Sequence, residues 1–380
     1  MEISLHRFIN EAWDEPPSGE LDSAQTLIIV FAASRPSPTV TNALPALKST
    51  FPNSVLIGCS SSGEIYGVEL NDDSIVLAIV KFADTRLKLV NYPIANVQQS
   101  ATAGNTLAEQ LIADDLAAVF TLTDGLLVNG SAFVEALSNN LPEGVVITGG
   151  LAGDGDRFEK TWVLFDGETR TGQAAAVGFY GDTIRVAHGS RGGWNLLGPD
   201  REVTKAEGNV LYSLDGLPAL QVYKKYLGDR AEGLPATGLL FPLAIRDEED
   251  IDGLTVRTIL AVDKERQSIT FAGDVPEGRY VKLMRANFDR LVDGAASAAK
   301  NAELSDYTGS NAALHSHQLC REAPCARPKG GGGDRGCHRE PAGRDPQIGY
   351  YSYGEISPLV SGRCDLHNQT MTLTLIWEKE

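Results

Sequence analysis

The apolar runs and their punctuation divide the chain into repeated units. Thr26-Leu-Ile-Ile-Val-Phe31 is a continuous β-rich run, which predicts a buried strand. Pro36 and Pro38 end it, Val40 to Leu47 has helical spacing, and Val55-Leu-Ile57 predicts the next strand. A second strand–helix–strand unit follows, with strands at Leu116–Leu122 and Val145–Ile147 and a helix at Ser131–Leu137. Ser74–Phe82 and Arg86–Val90 read as a strand pair, and Ala103–Ile112 as a helix. Trp162–Phe165 and Ala174–Tyr180 read as a hairpin around Asp166-Gly167, with Ile184–His188 as a further strand. Residues 1–25, polar and carrying Pro16-Pro17, read as a loose arm. After a loop from Gly192 to Pro199, Leu217–Leu227 predicts a helix, and Gly228 marks the lobe boundary. Strands near 237–245, 254–261 and 268–272 come next, then a helix from about Gly278 to Leu304. The terminal strand, Thr370–Trp377, alternates apolar and polar residues as a half-buried strand does. The expected fold is α/β: two lobes with mixed sheets built from repeated strand–helix–strand units, a pattern that an α+β description also covers.

One nine-residue turn is written three times. The copies are Ile57-Gly-Cys-Ser-Ser-Ser-Gly63-Glu64-Ile65, Ile147-Thr-Gly-Gly-Leu-Ala-Gly153-Asp154-Gly155 and Ile348-Gly-Tyr-Tyr-Ser-Tyr-Gly354-Glu355-Ile356. The first and third agree at six of nine positions, and all three share Ile, then Gly at place seven and a carboxylate at place eight. Each copy follows an apolar run, so each stands where a strand ends and bare backbone can be approached closely. Between the second unit's strand and helix lies a polar loop, Thr123 to Gly130, at the strand edge that ligands favour in such sheets.

Composition narrows the partners. At 380 residues the chain has room for two domains with real cores. A net charge of −17 argues against nucleic acid and anionic lipid, both of which need a basic field. No run approaches the ~18 apolar residues of a membrane span, so none is expected. The start, Met-Glu-Ile-Ser-Leu-His-Arg, has neither the basic nor the apolar region of a leader, and five cysteines form no framework. A cytoplasmic, reduced protein is therefore expected.

With these pieces in view, the chain resembles the FIST sensor family, with its N-terminal domain over 26–222 and its C-terminal domain over 223–377. The resemblance rests on Ile57–Ile65, Thr123–Gly130, Gly149–Asp154, Val203-Thr204-Lys205, Leu214–Ala219, Gly349–Ile356 and Leu366-His-Asn-Gln-Thr370. It implies a non-enzymatic sensory protein that binds a small ligand, amino acids among the candidates. One branch resembles haem-binding nitric oxide sensors that act in trans on a histidine kinase or a cyclic-di-GMP enzyme. This chain, with no fused kinase in its text, is similar to that branch, so haem with nitric oxide is the favoured ligand.

Three chemistries compete. For a small ligand such as an amino acid, the candidates are Cys59, Ser60, Ser61, Ser62, Glu64, Thr123, Asp124, Asn129, Gly150, Asp154, Tyr351, Tyr353 and Glu355. The carboxylates would meet an amino group and the turn amides a carboxylate. Haem needs a His, Cys, Met or Tyr ligand. His188 beside Arg191 and Trp194 is the best placed, with His188 on the metal, the guanidinium for a propionate and the indole for the ring. A hydrolase or transferase would use Cys59 or Ser61, yet no nucleophile elbow, Walker loop or placed base accompanies them.

Cys320 to Gln347 breaks the pattern. It has no Val, Ile, Leu, Met, Phe, Tyr or Trp, but four consecutive glycines (Gly330–Gly333) and three of the five cysteines. Cys320, Cys325, Cys337 and His338 match no common zinc spacing. A disordered linker is one explanation. A reading-frame slip from about His315 to about Asp345 is the sharper one. The same codons, one base out of step, can spell a strand, a loop and an amphipathic helix. That helix ends in Asn-Leu-Pro, as the second unit's helix does at Asn140-Leu141-Pro142. Reading the gene's nucleotides is expected to reveal that hidden text in residues 315–345; codons incompatible with it would leave the linker.

Overall fold

In the computed structural model of the chain, residues 1–35, 38–246, 254–286, 313–318, 346–358 and 364–379 are described. For 38–41, 191, 286 and 313–318 the description is of the backbone alone. Strand makes up 50% and helix 18%, so sheets carry the architecture and helices cover them. Four sheets form. The first, of seven strands, centres on Thr26–Ala33 and Val55–Ser61; the second, of six, on Val146–Leu151 and Leu116–Thr123. The third, also of six, runs from Ile184–Gly192 through Thr370–Glu378, Ala313–Gln318 and Gln347–Tyr351 to Glu64–Tyr66 and Glu69–Asn71. The fourth, of eight strands, is built only from residues 194–286.

The repeated units are real. Thr26–Ala33 and Val55–Ser61 pair in parallel around helix α1 (Pro38–Thr50). Helix α2 (Ser100–Leu111) precedes the second unit. There Leu116–Thr123 and Val146–Leu151 pair in parallel around helix α3 (Gly130–Asn139). A third parallel pair, Ala313–Gln318 with Gln347–Tyr351, leads into the third turn, and its connection lies outside the described residues. Parallel strands require such a crossover. All eight residues of Thr26–Ala33 are buried because both faces are covered. Ile28, Val30 and Ala32 pack with Leu44 and Leu47 of α1. Leu27, Ile29 and Phe31 face a core shared by the first three sheets, with Phe120 and Leu122 of the second and Ile348 and Tyr350 of the third. Helices α2 and α3 cover the second sheet's other face. Helix α4 (Ala219–Leu227) and the fourth sheet enclose a separate core around Leu214, Tyr223 and Phe271.

Several sequence expectations need correction. The loose arm is a strand: Glu2–Ile9 pairs along its length with Ile75–Lys81, burying Phe8. Ile75–Lys81 and Arg86–Pro93 are both strands but belong to different sheets, because the link between them crosses from the first sheet to the second. The hairpin at Asp166 is Val163–Phe165 with Glu168–Arg170, whereas Gln173–Tyr180 pairs in the second sheet. The loop before Val203 is strand from Trp194 to Glu207. Tyr280–Ala286 is strand rather than helix, held between Trp194–Glu202 and Leu243–Ile245; the rest of that predicted helix lies outside the described residues. So do the cysteines and His338 of the anomalous stretch.

Gly149, where the second turn begins, shows how close the strands come. Its φ is +144°, and a Cβ there would stand 1.8 Å from the Thr121 carbonyl oxygen of the paired strand. All three nearest atoms are backbone of Thr121, which cannot swing aside as a side chain would. Gly149→Ala is expected to lower unfolding stability by about 3 kcal/mol, read as a shifted denaturation midpoint at unchanged slope.

Candidate functional site

The three signature turns meet, and they meet through backbone. The Gly153 amide donates to the Ser60 carbonyl at 3.0 Å, and the Ser62 amide to the Tyr351 carbonyl at 3.0 Å. The Tyr351 amide returns to the Gly63 carbonyl at 2.9 Å, and the Tyr353 amide reaches the Leu151 carbonyl at 3.3 Å. Gly150 stands opposite Glu355, and Tyr350 opposite Glu64, in antiparallel register. The shared glycine at place seven follows from this crowding: a Cβ on Gly153 would lie 2.4 Å from Ser62 Oγ.

Most of the polar candidates maintain this knot. Ser60 Oγ accepts from the Trp162 amide, Ser62 Oγ from the Gly155 amide, and Ser61 Oγ bridges the amide and carbonyl of Gly63. Asp154 accepts from the amides of Phe158, Glu159 and Lys160 and from the Tyr353 hydroxyl. Asp124 is likewise taken up by the amides of Leu126, Leu127 and Gly172. Thr123 Oγ1 donates to the Asp124 carbonyl. Asn129 caps α3 by accepting from the Ala132 amide, and its own amide group donates to Asp274. These carboxylates have their acceptor capacity filled by the fold.

Glu64 and Glu355 differ. Both are buried and neither has a cationic partner among its hydrogen bonds: Glu64 accepts from the amide and hydroxyl of Ser74, Glu355 from the hydroxyls of Ser352 and Thr370. Desolvation raises each to about 8 against a serine or threonine contribution that lowers it, so both are protonated at neutral pH.

Glu355 lies in a polar seam between the second and third sheets. Alternation along Gly354–Pro358 turns Ile356 toward the helices and Glu355 and Ser357 toward the third sheet. Facing them are Thr370, Thr372 and Thr374 of the terminal strand. Thr370 donates to Glu355, and the hydroxyls of Thr374 and Thr148 are 2.6 Å apart. Sequence reading missed this line. The terminal strand's polar face was expected in water, yet Thr372 and Thr374 are both 0% exposed. Its Leu373, Leu375 and Trp377 instead join Ala187 in a small outer cluster. The alternation was visible, but its inside and outside were not.

Two imidazoles border the seam. His188 pairs with Thr374 in the edge strand of the third sheet, and His367 with Glu355 in the edge strand of the second. Burial lowers the pKa of both, and the nearby His188 lowers that of His367 further. His367 Nε2 lies 3.1 Å from the Ser357 carbonyl, which can only accept, so the neutral ring carries its proton on Nε2 and a lone pair on Nδ1.

The haem candidates do not come together as the sequence suggested. His188 offers a neutral imidazole, the ligating form. Trp194 belongs instead to a cluster with Ala244, Val256 and Met284 of the fourth sheet, its indole N–H donating to the Gln369 carbonyl at 2.7 Å. The side chain of Arg191 lies outside the described residues. His188 therefore meets one requirement of a haem, and Trp194 is held away from the ring position by its own cluster. Nucleophilic chemistry fares less well. Cys59 is fully buried and its thiol is raised well above the usual range by desolvation, the opposite of an activated thiolate. Among the described residues no group of three His, Cys, Asp or Glu could hold a metal ion.

Arg257, also unforeseen, joins the fourth sheet to the rest. It is 5% exposed and donates to the carbonyls of Asp274, Val256 and Leu366 and to Ser131 Oγ. Asn368 adds to this joint by accepting from the Thr258 amide and donating to the Tyr353 carbonyl.

The FIST N domain profile matches residues 26–217 and the FIST C domain profile residues 219–358. An uncharacterized protein of Methanocaldococcus jannaschii is 25% identical over 280 residues, 68% of this chain and 53% of its own length. The chain thus spans about half the length of that curated relative. Among the described residues no helix is long and apolar enough to cross a membrane.

Glu64 and Glu355 make stability depend on pH. Unfolded, each carboxyl titrates near 4.5; folded, near 8. The folded state holds protons that the unfolded state has released, so this stability is whole below about pH 4.5 and lost as pH rises through about 8. Between pH 7 and 8.5, above the histidine range, unfolding stability is expected to fall by about 2 kcal/mol. Denaturant titrations at the two pH values measure it, and a Glu64→Gln/Glu355→Gln double variant should show a flat response.

Proposed function

The chain belongs to the FIST family, and from that footing we propose a sensory module of signal transduction whose small ligand seats in the polar seam. One observation carries the reading. Four consecutive residues, His367 to Thr370, serve both the seam and the joint to the fourth sheet. His367 and Thr370 contact Ser357 and Glu355 in the seam. Between them, Asn368 holds Thr258, and the Gln369 carbonyl holds the Trp194 indole. A ligand that moves the outer two moves the inner two, because they share one short segment. Binding then shifts the fourth sheet's position, provided that the ligand prefers one arrangement over the other. A separate histidine kinase or cyclic-di-GMP enzyme would read that shift.

A small hydrogen-bonding ligand of the amino-acid kind suits the seam better than a porphyrin, because hydroxyls, carboxyls and imidazoles line it. Haem-dependent nitric oxide sensing is the second reading, favoured by the neutral imidazole of His188. A metabolite panel followed by thermal unfolding tests the first. A true ligand is expected to raise the melting temperature and change the fluorescence of Trp194, with the fluorescence response lost in Trp194→Phe. Stabilisation without any Trp194 response would sever the proposed coupling. A stoichiometric Soret band that shifts with nitric oxide and disappears in His188→Ala would put haem first.

A further inference from the structure

Resting on that sensory reading, we propose that the seam receives a primary ammonium group, seated among Glu355, Ser357 and His367. The argument is an account of what hydrogen-bonding capacity remains. Several nearby donors are spent: Ser352 and Thr370 on Glu355, Thr372 on Ser190, and the Asn368 side-chain amide on the Tyr353 carbonyl. Ser357 Oγ, on a fully buried residue turned into the seam, has no hydrogen-bond partner. Gln369 Oε1, on a residue 2% exposed at the end of the seam, has none either. His367 keeps its lone pair on Nδ1 because Nε2 is committed to the Ser357 carbonyl. What is left over is two groups that can only accept, His367 Nδ1 and Gln369 Oε1, beside the Ser357 hydroxyl, which can accept or donate, and the acid of Glu355. A buried set of that kind calls for a ligand rich in N–H donors.

An ammonium brings three such donors and a positive charge, and the chain's net charge of −17 draws cations toward it. Bare metal ions are poorly served, since the described residues offer no three-ligand group. The proton balance is explicit. Glu355 enters the reaction as the neutral acid, gives its proton to solvent, and accepts an N–H of the ligand as the carboxylate. Other titratable or charged groups lie around it. His367 and Asp365 stand in the neighbouring strand, His188 in the edge strand of the third sheet, and Tyr350 in the strand facing Phe31. Arg257, beneath His367, opposes the incoming charge, but Asp365 and Asp274 lie close enough to offset it.

The test is calorimetric titration of the full chain at pH 7 with methylammonium, glycine, acetate and tetramethylammonium, each in two buffers of different ionisation enthalpy. Methylammonium and glycine are expected to bind with release of about one proton. Acetate, which brings no N–H, and tetramethylammonium, a cation without N–H donors, are expected not to bind. Glu355→Gln is expected to weaken binding at least about tenfold and to abolish proton release. Ser357→Ala removes no hydrogen bond from the fold, so it should melt normally and still bind the ammonium ligands several-fold more weakly. Silence from both methylammonium and glycine overturns the proposal, as does unchanged binding by Glu355→Gln. Acetate or another non-amine binding in a manner sensitive to Ser357→Ala overturns the ammonium assignment while leaving the sensory reading in place.

Discussion

Everything in the first three sheets depends on a knot of backbone hydrogen bonds among three turns that lie far apart in sequence. Ser60 receives Gly153, Ser62 meets Tyr351, and Tyr351 returns to Gly63. Backbone bonds at this range require that side chains be absent or small, which is why glycine recurs at the same place in each copy. Once the knot is closed, the strands leading into it are held parallel, and their helices fall on the outer faces. The continuous apolar runs then have both faces covered, with Phe31 and Tyr350 stacked 4.3 Å apart between the first and third sheets.

Against that apolar core the seam beside it is anomalous. A sandwich interior is ordinarily filled by alternating apolar side chains. Here Glu355, Ser357, Thr370, Thr372 and Thr374 occupy it, bordered by two neutral imidazoles. A buried polar group carries a desolvation cost of roughly 1–3 kcal/mol when it lacks a partner. A fold stable for its own sake has no need of Ser357 Oγ or of the acid of Glu355 at this place. The same short segment that closes the seam also grips the fourth sheet, so the costly residues sit where a binding event would be felt by the other half of the molecule. Arg257 makes that half a coupled partner, since its guanidinium is satisfied only when Leu366 and Ser131 stay in reach.

The candidate site was partly legible. The triplicated turn was legible as one recurring motif, and in the fold its three copies meet through backbone. The carboxylate at place eight proved less uniform than the motif suggested. Asp154 accepts three amides, while Glu64, held by the amide and hydroxyl of Ser74, and Glu355, held by two hydroxyls, stay protonated. No spacing rule separates these outcomes, because each depends on which neighbouring strand arrives beside the turn. His367 stood within the family-like segment Leu366–Thr370, and His188 was the best-placed haem ligand. Their proximity arises only because the last two strands of the chain return to different sheets. Trp194, adjacent in sequence to the haem candidates, was drawn into another core by the strand that carries it.

By itself, the sequence determined the strand–helix–strand units, the glycine requirement of the turns and the FIST identity, because local periodicity and close-approach residues are written into neighbouring positions. Tertiary structure alone decided which face of the terminal strand is inside. Thr370-Met-Thr-Leu-Thr-Leu375 alternates equally well for either choice, and a strand's two faces are exchanged without any change in local pattern. The third sheet, assembled from residues 64–71, 184–192, 313–318, 347–351 and 370–378, set the strand so that its threonines face Thr148 and Glu355 of the second sheet, while Leu373, Leu375 and Trp377 fill a smaller cluster on the other side. Pairing partners so distant in sequence leave no local trace, and it is those partners that turned an ordinary alternating strand into the wall of the seam.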